Sequence, residues 1–277
     1  MSPLDPPARL VVHDFGLEEP AAPTLILLHG LTDSGRCWGD AVDRWSAHYR
    51  IAAIDALGHG RSPRFSDEQL AEEPAEQLYA ATIATIERIE AGGGPAVLVG
   101  HSMGGAMAAA VAARRPDLVL AAVLEDPAWL PVEEVPADGR VIGPGWLETH
   151  ERFVANPVRE LALGRLEHPA WPEQEMGPWA QAKIDTDPAF LAAGVVLVRD
   201  PWPELVARLR CPVLVVTGTE NTIIGRSRAT LDAIGNPAIE VVAVDEAGHC
   251  VRRDDGDGFH ALVDPWIAAR FGEASAA

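Results

Sequence analysis

The sequence has 277 residues, of which 48% are hydrophobic, a composition typical of a soluble globular chain with one large domain or one domain that carries an insertion. Its formal net charge is −19, from 41 acidic and 22 basic residues, and Lys183 is its only lysine. So acidic a surface repels phosphate backbones and anionic lipids, which argues against a nucleic acid or a membrane as partner.

Short apolar runs that end in turn-forming loops open the chain. They predict three strands, at residues 9–15, 24–29 and 49–55. The second is a continuous apolar run, as expected for a strand covered by helices on both faces. Ser66 is a candidate helix cap, and core-facing apolar residues predict a helix over 77–90 that the glycine-rich stretch 91–95 ends.

The next stretch is the one around which the chain is organised. Apolar residues 97–99 lead into Gly100-x-Ser102-x-Gly104, and an alanine-rich run follows at once. This pattern predicts a buried strand that turns sharply into a helix. Side chains at the two glycine positions would collide across the bend. The serine would stand beside the first N–H groups of the helix, which can stabilise negative charge on a reacting oxygen.

A further apolar strand at 118–124 ends in Glu125 and Asp126, and the alternation of strands with helices predicts a parallel sheet wrapped by helices. This alternation stops over residues 127–203. That interval is rich in proline and holds five of the eight tryptophans: Trp129, Trp146, Trp171, Trp179 and Trp202. We predict an inserted, mainly helical cap domain there, and a core domain formed by residues 1–126 and 204–277.

Strand and helix patterns return after the cap. They predict strands at 212–218 and 239–244 and helices at 227–234 and 258–271. Gly248 and His249 lie in the loop after the last strand. Because parallel strands end at one edge of a sheet, Ser102 and His249 are expected to lie near that edge. A serine hydroxyl needs a base to become a nucleophile, and His249 is the natural candidate because histidine titrates near neutral pH.

The motifs together resemble the α/β-hydrolase superfamily over nearly the whole chain. They are Gly100-His-Ser102-Met-Gly104, His29-Gly30, Asp55-x-x-Gly58-His59-Gly60-x-Ser62 and Gly248-His249. The resemblance implies an α/β fold: a mostly parallel sheet flanked by helices, with a helical cap. It implies Ser102 as nucleophile and His249 as base. It also implies an oxyanion hole formed by the backbone N–H groups of Leu31 and Met103, with His29, His59 and Arg61 in structural roles.

The triad acid is where the sequence departs from the commonest pattern of the superfamily. Asn221 stands where an acid is usual, and asparagine cannot carry the charge that stabilises a histidinium. Zearalenone-lactonase-like members and some haloalkane dehalogenases instead place the acid ten residues past the proline that closes the nucleophile helix, here Pro116. That position is Asp126, our first choice. Glu125 is the second and Glu220 the third, and on an extended strand Glu125 and Asp126 point to opposite faces.

A serine nucleophile with an oxyanion hole suits a carbonyl centre. We therefore predict a hydrolase of a carboxylic ester or lactone that works through an acyl-enzyme and needs no metal or organic cofactor. The cap tryptophans suggest an aromatic pocket for a moderately hydrophobic small molecule, with Trp129 as the predicted substrate contact.

Two alternatives stay open. A carbon–carbon bond hydrolase of a diketone would use the same serine and histidine, and would often need cations for a substrate carboxylate, for which Arg61, Arg152 and Arg199 are unplaced candidates. A non-catalytic ligand receptor on the same fold is favoured only by Asn221.

The sequence also suggests a compartment. No run of about 18 apolar residues predicts a membrane span, and the first seven residues lack the features of a secretory signal. Three cysteines, Cys37, Cys211 and Cys250, fit reduced thiols better than a disulfide framework or a metal site. We expect a cytoplasmic monomer or homodimer.

Overall fold

A computed structural model describes residues 7–19, 21–91 and 94–276. The strands are β1 (Val12–Gly16), β2 (Thr24–Leu28), β3 (Arg50–Ile54), β4 (Ala96–His101), β5 (Val119–Glu125), β6 (Val213–Gly218) and β7 (Ile239–Val244). The helices are α1 (Gly39–Trp45), α2 (Asp67–Ala71), α3 (Pro74–Glu90), α4 (Met103–Arg114), α5 (Pro144–Ala155), α6 (Pro157–Glu167), α7 (Glu173–Asp185), α8 (Pro188–Ala193), α9 (Trp202–Arg208), α10 (Ile223–Ile234), α11 (Val251–Asp254) and α12 (Gly256–Ala276). Residues 1–6 lie outside these ranges, and they are most of the segment from which the sequence analysis predicted that no secretory signal is present. Gly92 and Gly93, in the stretch predicted to end a helix, lie outside them as well.

The strands form one sheet in the order β1-β3-β2-β4-β5-β6-β7. β1 runs antiparallel to β3, and the other five neighbouring pairs are parallel. Every residue of β2 and β4 is buried, which explains why both are continuous apolar runs in the sequence. The predicted α/β fold class is confirmed, and β4, which leads into Ser102, lies at the centre of the sheet.

Helices cover both faces of the sheet because alternate residues of each strand point to opposite sides. Ile26 and Leu98 belong to the apolar cluster that includes residues of α3, α4 and α10. Their neighbours Leu25 and Val97 belong to a second cluster, which includes residues of α1 and α12. The nucleophile helix α4 is therefore packed on one face of the sheet, and α12 on the other.

Helices α5 to α8 lie in the chain between β5 and β6, within the predicted cap, and α9 spans its second boundary at residue 203. A separate apolar cluster is formed by Phe153, Trp171, Met176, Trp179 and Ala180. Two of the five tryptophans of this interval thus pack in a core local to it, and Trp146 is 41% exposed. The domain limits themselves stay a prediction.

Several helices begin earlier than the sequence predicted. α3 starts at Pro74 because proline at the first helical position already has the required φ. α10 starts at Ile223 because the Thr222 hydroxyl accepts a hydrogen bond from the Gly225 N–H. Ser66 does cap a helix, the short α2, in a reciprocal box with Gln69. Within the described residues, no helix combines the length and apolar character needed to cross a bilayer.

Candidate active site

Ser102 occupies the turn between β4 and α4 in a backbone conformation that non-glycine residues seldom adopt, with φ 52° and ψ −113°. The turn is tight enough to require glycine on both sides. A Cβ on Gly100 would lie 2.4 Å from the Gly104 carbonyl oxygen, and one on Gly104 would lie 2.0 Å from the Leu28 carbonyl oxygen. The strain at Ser102 is thus held in place by close backbone packing.

His249 lies between Ser102 and Asp126. Its Nε2 is 3.0 Å from Ser102 Oγ, and its Nδ1 is 2.6 Å from Asp126 Oδ2. A carboxylate can only accept a hydrogen bond, so Nδ1 carries the proton and donates it to Asp126. The lone pair of Nε2 then faces the serine hydroxyl, which is the arrangement a general base requires.

Asp126 reaches this position because of the sheet register. His101 of β4 is paired with Glu125 of β5, so the next residues, Ser102 and Asp126, leave neighbouring strands side by side. Asp126 is fully buried, and it also accepts hydrogen bonds from the Thr217 hydroxyl and from the first two N–H groups of α10.

The charge of Asp126 is stabilised by these partners. Burial raises the pKa of its carboxyl group, but the hydrogen bond and charge of His249 and the two α10 N–H groups outweigh burial, and the net shift is downward. The N-terminus of α10 adds favourable dipoles. Asp126 therefore remains ionised beside His249 at neutral pH.

The other candidate acids lie elsewhere. Glu125 points away from Asp126, and its Oε1 accepts a hydrogen bond from the Arg252 N–H at 2.8 Å. Asn221 and Glu220 are exposed, and Asn221 has a left-handed backbone with φ 54°. Of the residues that the sequence proposed, the structure thus brings Ser102, His249 and Asp126 together.

Glu125 offers a pH test that separates it from Asp126. Burial raises the pKa of Glu125 from 4.5 to about 7. Because the folded value is the higher one, Glu125 favours folding most below its unfolded pKa, and this contribution is lost as pH rises from about 4.5 to 7. Glutamine stays neutral throughout. We expect Glu125→Gln to raise the thermal midpoint by about 2 °C or more at pH 8 and to change it little at pH 4.

The measurement is thermal unfolding of both proteins at the two pH values, with ester turnover recorded in parallel. Turnover should be retained, since the Glu125 carboxylate bonds the Arg252 N–H and not a triad side chain, and its contact with Ser102 is a backbone hydrogen bond that the substitution leaves in place. An equal change of midpoint at both pH values would contradict the assigned titration.

The predicted oxyanion donors lie on the two loops next to Ser102. Met103 is the first residue of α4, so its N–H has no partner inside the helix. Leu31 lies in the loop after β2, and a Cβ on the preceding Gly30 would be 2.7 Å from His101 Nδ1 and 3.4 Å from Ser102 Cβ. The loop of Leu31 therefore passes directly beside the nucleophile.

His29 holds this loop in place. Its Nε2 accepts a hydrogen bond from the Ala56 N–H at 3.0 Å, so Nδ1 is the protonated nitrogen and donates to the Gly30 carbonyl at 2.8 Å. Burial lowers the pKa of His29, in keeping with this neutral form. Asp55 joins the neighbouring loops by accepting from the N–H groups of Gly35 and Arg61.

A buried charge cluster behind the site was missed by sequence reasoning. It consists of Asp33, Glu175, Lys183, Arg252 and Arg253, all of them buried. Arg253 Nη2 is 2.9 Å from Asp33 Oδ2, and Arg253 Nε is 2.8 Å from Glu175 Oε2. Two signals were available: the single lysine of the chain, and two adjacent arginines shortly after His249.

A cavity of about 690 Å³ lies beside the nucleophile. Its lining includes Met103, Ala128 and Trp129, which are neighbours of the triad along the chain, although Ser102 and His249 do not themselves line it. Trp129 is fully buried and stacks on Trp202, with ring centroids 5.3 Å apart. The remaining walls come from α4 and from residues within 70–76, 132–140 and 193–205, and are largely apolar.

The cations that line this cavity are paired. Arg199 bonds the Glu73 carboxylate, and Arg140 lies 3.7 Å from Asp138. Arg61 lines a different cleft, and Arg152 pairs with Glu160. Within residues 7–19, 21–91 and 94–276, no group of three or more His, Cys, Asp or Glu side chains is arranged to hold a metal ion.

Comparison with known proteins agrees with the fold. A model of the alpha/beta hydrolase family matches residues 25–262. Lipase LipV of Mycobacterium tuberculosis is 34% identical over 223 residues, which is 76% of this chain and 77% of that protein. The (E)-2-((N-methylformamido)methylene)succinate hydrolase of Acinetobacter baylyi is 27% identical over 71% of this chain and 72% of its own length. The crystal structure of the esterase RhEst1 from Rhodococcus superimposes with a TM-score of 0.70 at 23% identity, covering 94% of each chain.

Proposed function

The chain belongs to the α/β-hydrolase family, and we propose that within it the protein is a serine hydrolase that cleaves a carboxylic ester or a lactone. The observation that carries the proposal is the hydrogen-bonded chain from Ser102 through His249 to Asp126, at 3.0 and 2.6 Å. A serine at a strained turn, a base and a buried carboxylate are the components that acyl transfer needs.

The proposed reaction has two stages. His249 Nε2 takes the proton of Ser102 while Oγ attacks the substrate carbonyl, and the N–H groups of Leu31 and Met103 stabilise the resulting oxyanion. The proton on Nε2 then passes to the leaving alkoxide, which departs as the alcohol. In the second stage His249 Nε2 takes a proton from water as the water attacks the acyl-enzyme, and then returns that proton to Ser102 Oγ as the acid product leaves. Asp126 stabilises the transient imidazolium in both stages without taking its proton.

The cavity favours an uncharged, moderately hydrophobic substrate. Its walls are largely apolar, Trp129 is a proposed contact, and the arginines that line it are already paired with carboxylates. These exposed pairs are weak, but the lining carries the carboxylates of Glu73, Glu76, Asp138 and Asp200 against two arginines, so a substrate carboxylate would meet net negative charge. The negative charge of the lining counts against a diketone that carries a carboxylate. It also counts against a succinate-type substrate such as the one in the name of the Acinetobacter relative. The carboxylate of Asp126, 2.6 Å from His249, supports a catalytic role over a non-catalytic receptor, because it supplies the charge that Asn221 cannot.

The test is covalent labelling by a fluorophosphonate together with turnover of p-nitrophenyl butyrate. The wild-type protein should take up one probe per chain and hydrolyse the ester, and Ser102→Ala should take up none. The p-nitrophenyl monoester of succinic acid should be cleaved at least tenfold less efficiently than the butyrate. A wild-type protein that is neither labelled nor active would contradict the proposal.

A further inference from the structure

The residue that follows Leu31 has an unfavourable backbone conformation. Thr32 has φ 59°, in the left-handed region that a β-branched residue rarely adopts. It lies within a turn closed by the hydrogen bond from the Asp33 N–H to the Gly30 carbonyl, at 3.1 Å. The Leu31 peptide is part of this turn, so the direction of its N–H depends on Thr32 keeping that conformation. A strained residue persists only where its surroundings hold it.

The group that holds Thr32 comes from the segment predicted to be the cap. Lys183 of α7 donates from Nζ to the Thr32 hydroxyl at 2.8 Å and to the Thr32 carbonyl at 3.1 Å. Its ammonium group also lies 3.6 Å from Asp33 Oδ1 and 5.1 Å from the centre of the Trp179 ring. Lys183 is buried, so water does not compete for these hydrogen bonds.

The same helix contacts the loop that carries the base. Glu175, two turns before Lys183 in α7, accepts hydrogen bonds from Arg252 at 2.6 Å and from Arg253 at 2.8 Å. These arginines follow His249 by three and four residues. α7 is therefore tied both to the loop of the predicted oxyanion donor and to the loop of the predicted base.

We propose that Lys183 is a positioning residue for the oxyanion hole, an inference that rests on the proposed function. Its three-proton ammonium group satisfies two oxygens of Thr32 at once and so fixes the turn that contains Leu31. The charge of Asp33 compensates the buried cation. The position of α7 therefore controls the oxyanion hole, because the Leu31 N–H is held in its orientation only when Lys183 bonds Thr32.

The test is a double-mutant cycle between Lys183 and Thr32. Lys183→Met keeps the length of the side chain and removes all of its donors. We expect kcat for p-nitrophenyl butyrate to fall roughly 10- to 100-fold with KM changed by less than about threefold, which is somewhat less than outright loss of an oxyanion donor. Thr32→Gly supplies a residue that adopts positive φ without strain. In a protein that already carries Thr32→Gly, adding Lys183→Met should lower kcat by less than about threefold, because glycine keeps the turn without help from Lys183.

Glu160→Gln is the matched control. Glu160 is also buried in the 127–203 segment and paired with Arg152, but it lies in α6 and does not contact the oxyanion loop. It should lower the thermal midpoint and leave kcat unchanged. If Lys183→Met lowers kcat equally with threonine or glycine at position 32, or if Glu160→Gln lowers kcat as much, Lys183 acts only through general stability and the inference is overturned.

Hydrogen exchange gives a readout that does not need activity. Amides of residues 29–35 should exchange at least tenfold faster in Lys183→Met than in the wild type, and those of Glu160→Gln should not. Unchanged exchange in this loop overturns the inference even if the enzyme is active. A wild-type protein that hydrolyses no ester while the loop is protected through Lys183 contradicts the proposed function and leaves the tie between Lys183 and Thr32 intact.

Discussion

Replacing Asp126 by asparagine should lower kcat for an ester substrate by about 10⁴-fold, the loss that the same change causes in other serine triads. The cause is the proton on His249. With a carboxylate at position 126, Nδ1 carries the proton and Nε2 is free to accept the hydrogen of Ser102. An amide nitrogen facing Nδ1 would favour the opposite tautomer, in which Nε2 is protonated and can no longer act as a base.

The surroundings of position 126 offer the asparagine side chain no orientation in which its amide group is fully hydrogen-bonded. One carboxylate oxygen accepts from the Thr217 hydroxyl and the Ile224 N–H, and the other from the Ile223 N–H and His249. Asparagine has a single oxygen, so whichever way it turns, its NH₂ group faces a backbone N–H of α10 that cannot accept a hydrogen bond, that of Ile224 in one orientation and that of Ile223 in the other, in a fully buried site. We therefore expect a loss of about 1–3 kcal/mol in unfolding free energy in addition to the loss of turnover.

The measurement is steady-state hydrolysis of p-nitrophenyl butyrate, with urea unfolding to confirm that the variant is folded at the assay temperature. Asn221→Ala and Glu125→Gln are the controls, and each should retain turnover within about threefold of the wild type. If Asn221→Ala costs far more activity than Asp126→Asn, the acid has been assigned to the wrong strand.

Asp126 could be chosen from sequence because the chain resembles superfamily members that place the acid ten residues past the proline closing the nucleophile helix, here Pro116. The alternation of side chains along a strand indicated only that one of Glu125 and Asp126 could meet His249, and the register of β4 with β5 places Asp126 beside Ser102. The fold class follows equally from apolar runs that alternate with helices. The apolar runs and the spacing of the motifs can be seen in one sequence, whereas the choice of the acid also needed the known pattern of the superfamily.

The single lysine and the two adjacent arginines were signals of the buried charge cluster, but its pairings could not be predicted, because no local pattern links its members. Asp33, Glu175 and Arg253 are far apart along the chain, and each alone has the sequence signature of a solvated surface charge. Only the packing of α7 against the loops after β2 and β7 brings them into contact. The tryptophans show part of the same limit. Trp129, which lines the cavity, could be singled out because it follows Asp126 by three residues, but nothing local shows that Trp179 packs in a core of its own.

The largest expected loss of stability follows from removing Glu175. Glu175→Ala should lower the free energy of unfolding by about 3–5 kcal/mol, the usual result when one partner of a buried ion pair is deleted. Glu175 is completely buried and bonds Arg252 and Arg253 together. Alanine would leave two buried guanidinium groups with fewer compensating charges, namely Asp40 for Arg252 and Asp33 for Arg253. Urea unfolding of the purified protein measures the loss.

Glu173→Gln on the same helix is the control for Glu175→Ala. Glu173 also pairs with an arginine, Arg165, but the side chain of Glu173 is 72% exposed, so solvent screens the pair and its removal should cost far less stability than the removal of Glu175. Comparable losses of unfolding free energy in the two variants would show that solvent reaches the cluster.

The buried charge cluster also affects activity, because Arg252 and Arg253 follow His249 in one short stretch. A Glu175→Ala protein that remains folded should therefore lose turnover as well, as the loop carrying the base loses its contact with α7.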